Sequence, residues 1–512
     1  MRWVFVRPRH TSPYYDPELQ EPLGIEQLGA CRRACGDSVL LLDGWLEGLS
    51  DERLARRAAA FQPDAVGFSV MTAREVPSVC AIHSECVRVL GEARVRWVAG
   101  GNFVSSEPDA AARLLPEAMR LVRFEGEHAL DDLQTSEADA ARTVVGRPVG
   151  DLETLPAPLR PFIDTVVANG WAVNLQGSRG CVGACEYCAS PGRPRPEGGA
   201  RWRGRSAAHI ADELQAIQTA TGARTFNFVD EDFLGPPRGS RARAEALLAE
   251  VRRRRLRASF GIQVRPASLT EDIVGFLTDA GVSYVFLGIE SDDPTDFRRW
   301  GRPWTDDPWR FVRLFREMGA DVGAGVLLFH PYSTLPKIRR FATKLVESGL
   351  LCHRTAVNRM DAMPGSALHA RARADGLLGA DVVGPRPLPF QDVAVEALFR
   401  DVTAALAPLG PPSMHAVCAM PSLSTRRRLD TGAEAGYRTL RRILADLDGA
   451  TARTVFALLD HHEGGSRARG VAGALRAGNL EVAVAAAHTL VDRGHARSYD
   501  ALRHAIRVDA GC

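Results

Sequence analysis

Two runs of alternating strand and helix signals, separated by a proline-rich stretch, constrain the fold of this chain more than any other feature. In the first run, Trp3-Val-Phe-Val, Ser38-Val-Leu-Leu-Leu-Asp43, Ala65-Val-Gly-Phe-Ser-Val, Val95-Arg-Trp-Val and Leu121-Val-Arg-Phe read as buried strands. Helices fall between them. One starts near Pro22, where proline suits a first turn, and stops at Gly36. Ser50 can cap a second, carrying Leu54, Ala58 and Phe61 and ended by Pro63. Val79, Ile82, Cys86 and Val89 mark one face of a third. This rhythm is that of a doubly wound α/β parallel sheet. Such sheets bind ligands beyond their strand carboxyl ends. Those ends hold Asp43, Ser69, Thr72, Gly100, Gly101, Glu125 and Gly126, where glycines admit a large cofactor and hydroxyls or carboxylates can bond its polar arms.

The stretch from about 131 to 170 is rich in Ala, Asp, Arg and Pro and ends in Leu155-Pro-Ala-Pro-Leu-Arg-Pro161, which reads as a linker. The rhythm then restarts at Trp171. Thr225-Phe-Asn-Phe-Val, Ser259-Phe-Gly-Ile-Gln-Val, Tyr284-Val-Phe-Leu-Gly-Ile, Val322-Gly-Ala-Gly-Val-Leu-Leu-Phe and Thr355-Ala-Val-Asn-Arg-Met supply further strands, and Ser206, Gly222, Thr270 and Gly281 bound helices. Six βα units suit a partial barrel. Beyond about 386 the periodicity is helical: Leu440, Ile443, Leu444 and Leu447 share one face, as does the Val482 to Leu490 region. That tail is read either as a cover for the barrel mouth or as an accessory bundle.

On the first strand's exit in this second run lies Cys181-Val-Gly-Ala-Cys185-Glu-Tyr-Cys188. Three thiols on one short loop can wrap a metal cluster. Structural zinc wants four ligands, as does a ferredoxin-type cluster, and no fourth cysteine or histidine lies nearby. Three thiolates on four irons leave one iron open to a ligand. The alternative is three thiols without a metal. The remaining cysteines are too sparse for a disulfide scaffold; Cys31, Cys35, Cys80 and Cys86 fall in predicted helices and read as small buried hydrophobes.

A net charge of +2 on 512 residues gives no reason to expect nucleic acid or an anionic membrane as partner. No apolar run has the length of a membrane span, and the first residues read as a strand rather than a signal peptide, so a cytoplasmic location is expected. The Val251 to Arg257 run of arginines is the solvated end of a helix. His461 and His462 are adjacent, which argues against a metal pair.

The cysteine loop, with Tyr187 before its third thiol, resembles that of the radical S-adenosylmethionine (SAM) superfamily. The first run resembles the cobalamin-binding domain that precedes many radical SAM domains, in Pro22-Leu-Gly and in Pro63-Asp-Ala-Val-Gly-Phe-Ser. The resemblance implies a Rossmann-like cobalamin-binding domain at 1–135, a linker at 136–170, a partial (β/α)6 TIM-like radical SAM barrel at 171–385 and a mostly α-helical domain at 386–512. It implies Cys181, Cys185 and Cys188 as ligands of a [4Fe-4S] cluster, and Tyr187, Glu231, Asp232, Arg265, Glu290 and Ser291 as contacts of SAM. Phe329-His-Pro-Tyr-Ser-Thr334 and Met363-Pro-Gly-Ser366 look like the superfamily's fifth and sixth strand ends, placing His330 and Tyr332 near the pocket. The first loop, Arg7-Pro-Arg-His-Thr-Ser-Pro, departs from the Asp-x-His-x-x-Gly signature of other cobalamin proteins, and His10 is read as a surface histidine. The implied activity is that of a class B, cobalamin-dependent methyltransferase. It would take hydrogen from an unactivated carbon of a small, specialised-metabolite molecule and transfer a methyl group from methylcobalamin, with flavodoxin or ferredoxin as electron donor. Ring formation or rearrangement with the same cofactors is the alternative. A cobalamin sensor with a vestigial barrel fits the intact cysteine triad poorly, and a sulfur-inserting enzyme would need further cysteines at strand ends.

Overall fold

The computed structural model describes residues 1–9, 20–133, 141–190, 201–379, 383–464 and 469–492. His10 and Cys512 lie outside them. The first half runs β1 (Arg2–Arg7), α1 (Leu23–Ala34), β2 (Ser38–Asp43), α2 (Asp51–Ala60), β3 (Ala65–Ser69), α3 (Val76–Leu90), β4 (Arg96–Gly100), α4 (Asn102–Ser106), α5 (Pro108–Leu114), β5 (Met119–Arg123), α6 (Gly126–Asp132) and β6 (Thr143–Val145). Its strands form one parallel sheet in the order β2-β1-β3-β4-β5-β6. The side chains of β1 alternate between its faces, as the two-residue period of a strand demands. Val4 and Val6 enter one core with α2 and α3; Trp3 and Phe5 enter another. That second core is continuous with the barrel, so one sheet face docks the domains together.

Part of the expected linker is a strand. Residues 143–145 pair with β5, Leu121 opposite Thr143, and Phe162, which caps α7 (Ile163–Ala168), and Val166 within it are buried. Leu159 N donates to Glu26 O at 3.2 Å, and Gln27 Nε2 to Pro156 O at 2.8 Å. A stretch with this many backbone and core contacts is a packed brace.

The second half runs β7 (Val173–Leu175), β8 (Ser178–Gly180), β9 (Trp202–Gly204), α8 (Ala207–Thr221), β10 (Thr225–Phe228), α9 (Pro237–Arg254), β11 (Ser259–Val264), α10 (Glu271–Ala280), β12 (Val282–Glu290), α11 (Pro294–Arg299), α12 (Trp309–Glu317), β13 (Asp321–Val326) and α13 (Leu335–Glu347). Ser206 accepts from His209 N and Gly222 adopts the left-handed turn that closes α8. The parallel sheet is β7-β10-β11-β12-β13. The sixth strand expected at Thr355–Met360 is instead a single helical turn, α14 (His353–Ala356), followed by one isolated parallel bridge between Phe329 and Arg359. Cys352, as N-cap, and Thr355 form a capping box there, which starts a helix where a strand would have to run.

After a small ribbon of β14 (Asp361–Ala362) and β15 (Arg386–Pro387) flanking α15 (Ala367–Ala374), the chain is helical: α16 (Val393–Leu406), α17 (Gly410–Arg427), α18 (Ala433–Glu463) and α19 (Arg469–Asp492). Of these, α17 and α18 pack on the amino-terminal end of the barrel, while Phe399 of α16 lies against Phe329 just past β13, ring centres 5.0 Å apart. Ser424 Oγ donates to Ser283 O at 2.7 Å, Arg428 Nη1 to Val282 O at 3.1 Å and Tyr437 OH to Asp321 at 2.8 Å, all at the first residues of β12 and β13. Among the described residues no helix is long and apolar enough to cross a membrane.

Candidate cluster and cofactor site

The cysteine loop leaves the β8 end of an antiparallel hairpin with β9. Its thiols form no disulfide: Cys185 is buried, Cys181 and Cys188 half-buried. Burial raises the Cys181 thiol and pushes Cys188 up to about 11, so metal binding there releases protons. Gly183 N lies 3.3 Å from Cys181 Sγ, and a side chain at Gly183 would touch Cys181 Sγ at 3.4 Å and Cys185 Sγ at 3.6 Å. Among the described residues no three His, Cys, Asp or Glu side chains converge to hold a single metal ion. A four-iron cube takes its thiolates spread around it rather than meeting at one atom.

The turn Trp300-Gly301-Arg302 clasps this loop. Glu186 N donates to Trp300 O at 3.0 Å, and Tyr187 packs edge-on against Trp300 with centroids 5.7 Å apart. Arg302 is the residue that sequence reading missed. Its Nη1 lies 3.6 Å from Cys185 Sγ and donates to Tyr187 OH at 3.3 Å; its Nη2 donates to Gly288 O at 2.5 Å. Burial and the nearby Glu290 charge hold the Tyr187 phenol well above its ordinary range.

Glu290 ends β12 at φ 67, in the left-handed region that a side chain rarely adopts. Side chains at Gly288 and Gly325 would crowd its Oε1 at 3.2 and 3.4 Å, so the two glycines make room for it. Arg302 Nη1 lies 3.6 Å from that same oxygen. Strain of this kind persists where surrounding structure holds it and clusters at functional sites.

The other expected SAM contacts divide. Glu231 is half-buried at the exit of β10 and accepts from Ser190 Oγ at 2.6 Å. Arg265 lines a cleft with Gly183, Cys185 and Arg302. Asp232, expected to face the ammonium, is fully buried and bonded to Arg265 Nε at 2.7 Å, because a desolvated carboxylate needs a partner. Ser291 is likewise buried, giving its proton to Asp296 at 2.8 Å. His330 has both ring nitrogens engaged, Nδ1 by Tyr332 N at 3.3 Å and Nε2 by Asp296 at 3.3 Å, so it is a brace under the mouth. Tyr332 lies beneath the Arg299 guanidinium, 4.4 Å from its ring centre. Asp230, pushed up to about 6 by burial, bonds Ser178 Oγ at 2.7 Å and Gly177 N at 2.8 Å.

In the first sheet the strand order reverses between β1 and β3, and the crevice of a doubly wound sheet opens there. Ser69, Thr72, Gly100 and Gly101 border that side. Gly101 stands at φ +105, with a side chain there meeting Val70 O at 2.6 Å, so only glycine serves. Met71 is exposed beside it. Gly126 opens α6 against Leu28. Two acids expected to face cobalamin are committed elsewhere. Asp43 is fully buried, pairing with Arg7 at 2.5 Å and accepting from Trp45 N at 2.8 Å. Glu125 crosses to the second domain, pairing with Arg179 at 3.1 Å and Arg203 at 2.5 Å.

These cross-domain contacts join carboxyl ends to carboxyl ends. Glu125 follows β5, Arg179 and Arg203 stand on the hairpin that carries the cysteine loop, and Glu107, just past α4, accepts from Gly384 N at 2.6 Å. A side chain on Gly365 would lie 3.6 Å from Ser106 and 3.7 Å from Ala189, the residue after Cys188. The two mouths therefore face each other.

Residues 175–344 match the family model described as Radical SAM superfamily, and residues 17–134 match the B12 binding domain. Together these take in more than half of the chain, which is thus a radical SAM protein with a B12-binding domain ahead of its barrel. That domain pair is one whose cofactors are a [4Fe-4S] cluster, S-adenosylmethionine and cobalamin. In particular, the chain is similar to a protein of Pyrococcus horikoshii called uncharacterized methyltransferase PH0819, 25% identical over 293 residues, 53% of this chain and 61% of that one. It is also similar to the anaerobic magnesium-protoporphyrin IX monomethyl ester cyclase of Synechocystis sp., 27% identical over 354 residues, 62% of this chain and 66% of that one. Both matches span under two thirds of the relative's length. Among solved structures, the cobalamin-dependent S-adenosylmethionine radical enzyme OxsB, with aqua-cobalamin and SAM bound, superposes with a TM-score of 0.70 at 15% identity. The superposition covers 100% of this chain and 83% of that one, and is a likeness of fold.

Proposed function

We propose that the chain is a class B radical SAM methyltransferase, acting on an unactivated carbon of a small molecule. The observation that carries this reading is the apposition of the two mouths: Ser106, the last residue of the α4 helix that follows the Gly100-Gly101 turn, and Ala189 beside Cys188 flank the same glycine, Gly365. When bound, the cluster, SAM and cobalamin supply one-electron cleavage of SAM and transfer of a methyl group. Cys181, Cys185 and Cys188 fit the cluster because they are three unpaired thiols on one short loop, with no other cysteine near them in the sequence. Glu231, Arg265 and Glu290, at the exits of β10, β11 and β12, with Tyr187 in the cysteine loop, would hold the amino, carboxylate and ribose groups of SAM. Ser69, Thr72, Gly100, Gly101 and Gly126 would hold cobalamin on the opposite wall. The cross-domain pairs of Glu125 keep the walls together and water out. A flavodoxin or ferredoxin would supply the electron.

The test is anaerobic reconstitution with iron, sulfide and hydroxocobalamin, then turnover of candidate metabolites with SAM carrying a labelled methyl group. A product heavier by one labelled methyl supports the reading; turnover with no mass gained overturns it. The similarity to the Synechocystis cyclase favours a second reading, ring formation or rearrangement, which the same mass spectrum identifies.

A further inference from the structure

The charge beside the cysteine loop bears on how readily a cluster there is reduced. We propose that Arg302 is the resident counter-charge of the cluster, positioned by the Trp300-Gly301-Arg302 turn to ease its one-electron reduction and to link that step to Glu290. The inference rests on the cluster reading above and goes beyond it.

The geometry is specific. One guanidinium nitrogen of Arg302 lies 3.6 Å from Cys185 Sγ and 3.6 Å from Glu290 Oε1, and also donates to Tyr187 OH at 3.3 Å. The second is fixed on Gly288 O at 2.5 Å. The side chain is one-tenth exposed, so little water screens its charge. Backbone contacts hold the turn on the cysteine loop independently of that side chain. Glu186 N donates to Trp300 O at 3.0 Å. Gly301 stands at φ +61, and a side chain there would reach Ala184 O at 3.3 Å. Arg302 is thus delivered to the sulfur by the fold, 117 residues away in sequence from its partner.

Reduction adds one electron to the cluster, taken from an external one-electron donor, and so adds one negative charge beside Arg302. A fixed cation at this distance in a poorly screened site stabilises the reduced form over the oxidised one. Glu290 acts in the opposite sense and is itself partly neutralised by Arg302. Arg302 is in this sense a positioning residue, acting through the cluster.

The experiment uses the full chain, reconstituted anaerobically, as wild type, Arg302→Lys, Arg302→Gln and Glu290→Gln. Iron and sulfide per chain are measured first, then the reduction potential of the cluster by a dithionite titration followed by electron paramagnetic resonance. Arg302→Gln is expected to shift the potential downward, Arg302→Lys to stay closer to wild type because it keeps the charge, and Glu290→Gln to shift it upward. Equal potentials for wild type and Arg302→Gln at equal iron content would overturn the proposal. Should Arg302→Gln fail to retain iron, Glu290→Gln decides: an upward shift supports the proposal and an unchanged potential overturns it. A wild-type chain that takes up no cluster sinks the functional reading itself, and so separates the two failures.

Discussion

The two mouths that face each other are built on opposite plans. On the first sheet, the acidic side chains at strand ends are consumed by the protein: Asp43 holds Arg7, and Glu125 holds Arg179 and Arg203. What that mouth offers is backbone, small residues and a left-handed glycine. On the second sheet the mouth carries three thiols, a carboxylate in a strained conformation and a buried arginine against a sulfur. A large preassembled cofactor needs a smooth floor that its own amides can meet, whereas a cluster and a charged ligand need fixed charges. On the proposed function, the difference puts chemistry on the second wall and placement on the first.

The contrast breaks most severely at the thiols. Cys185→Ala removes the most deeply buried of the three thiols, and iron per chain should fall to background with turnover lost altogether, while cobalamin binding persists. Retained iron in that variant, measured by colorimetric assay, would contradict the assignment of the loop. Next in size is Gly101→Ala, which places a side chain 2.6 Å from Val70 O at a φ of +105. Local strain of about 1–3 kcal/mol is expected, and cobalamin affinity should drop about tenfold or more, with the cluster's iron unchanged. Equilibrium dialysis with hydroxocobalamin reads this out, and an unaltered affinity would remove Gly101 from the cofactor floor.

Glu125→Gln sharpens the contrast from the side of the braces. Arg203 and Arg179 hold the Glu125 carboxyl below its ordinary range despite burial. The group therefore stabilises the folded state at neutral pH, and that contribution is lost as the pH falls through the carboxylate range. Arg179 keeps Glu127 at 2.7 Å and Arg203 keeps Val149 O, so the substitution should cost about 1–3 kcal/mol rather than unfold the protein. The melting temperature should fall at pH 7 and converge with wild type in acid. A difference that is the same at both pH values would show that Glu125 acts through packing and not through its charge.

How much of this was legible in the sequence depended on how far each signal reaches along the chain. Caps and glycine stops are local, and Ser50, Ser206, Gly222 and Gly281 sit where their chemistry predicts. The long apolar strands are also self-announcing, because strands covered on both faces read as continuous hydrophobic runs. Thr143–Val145 escaped notice because three residues carry no period. Thr355–Met360 looked like a strand by composition, but the Cys352 capping box begins a helical turn there. Of the cysteines read as buried, Cys86 is, whereas Cys35 is exposed at the end of α1; Val89, read as sharing one face with Val79, Ile82 and Cys86, is exposed while those three are buried. Inside the site, the loop of thiols was visible as a motif. The Asp232–Arg265 pair and Arg302 were not, since their partners lie 33 and 117 residues away and neither motif nor period connects them.

The closed end of the barrel supplies a control for the comparison, because it holds a half-buried acid away from both mouths. Asp448 on α18 has one buried oxygen without a hydrogen-bond partner among the described residues, and burial pushes its carboxyl up to about 7. A carboxyl raised in the folded state binds its proton more tightly there than in the unfolded chain. Its charging therefore costs stability progressively as the pH rises from about 4 to about 7. Asp448→Asn keeps the shape and removes that titration. The variant should match wild type near pH 4 and exceed it by about 1–2 kcal/mol at pH 8, after allowance for screening by Arg441 and solvent. Iron content and cobalamin affinity should not change, because the barrel contacts of the Asp448 helix are at the first residues of β13. A parallel pH dependence of melting temperature in the two proteins would show that Asp448 finds a partner in solution. An altered cobalamin affinity would show that the two ends of the barrel are not independent.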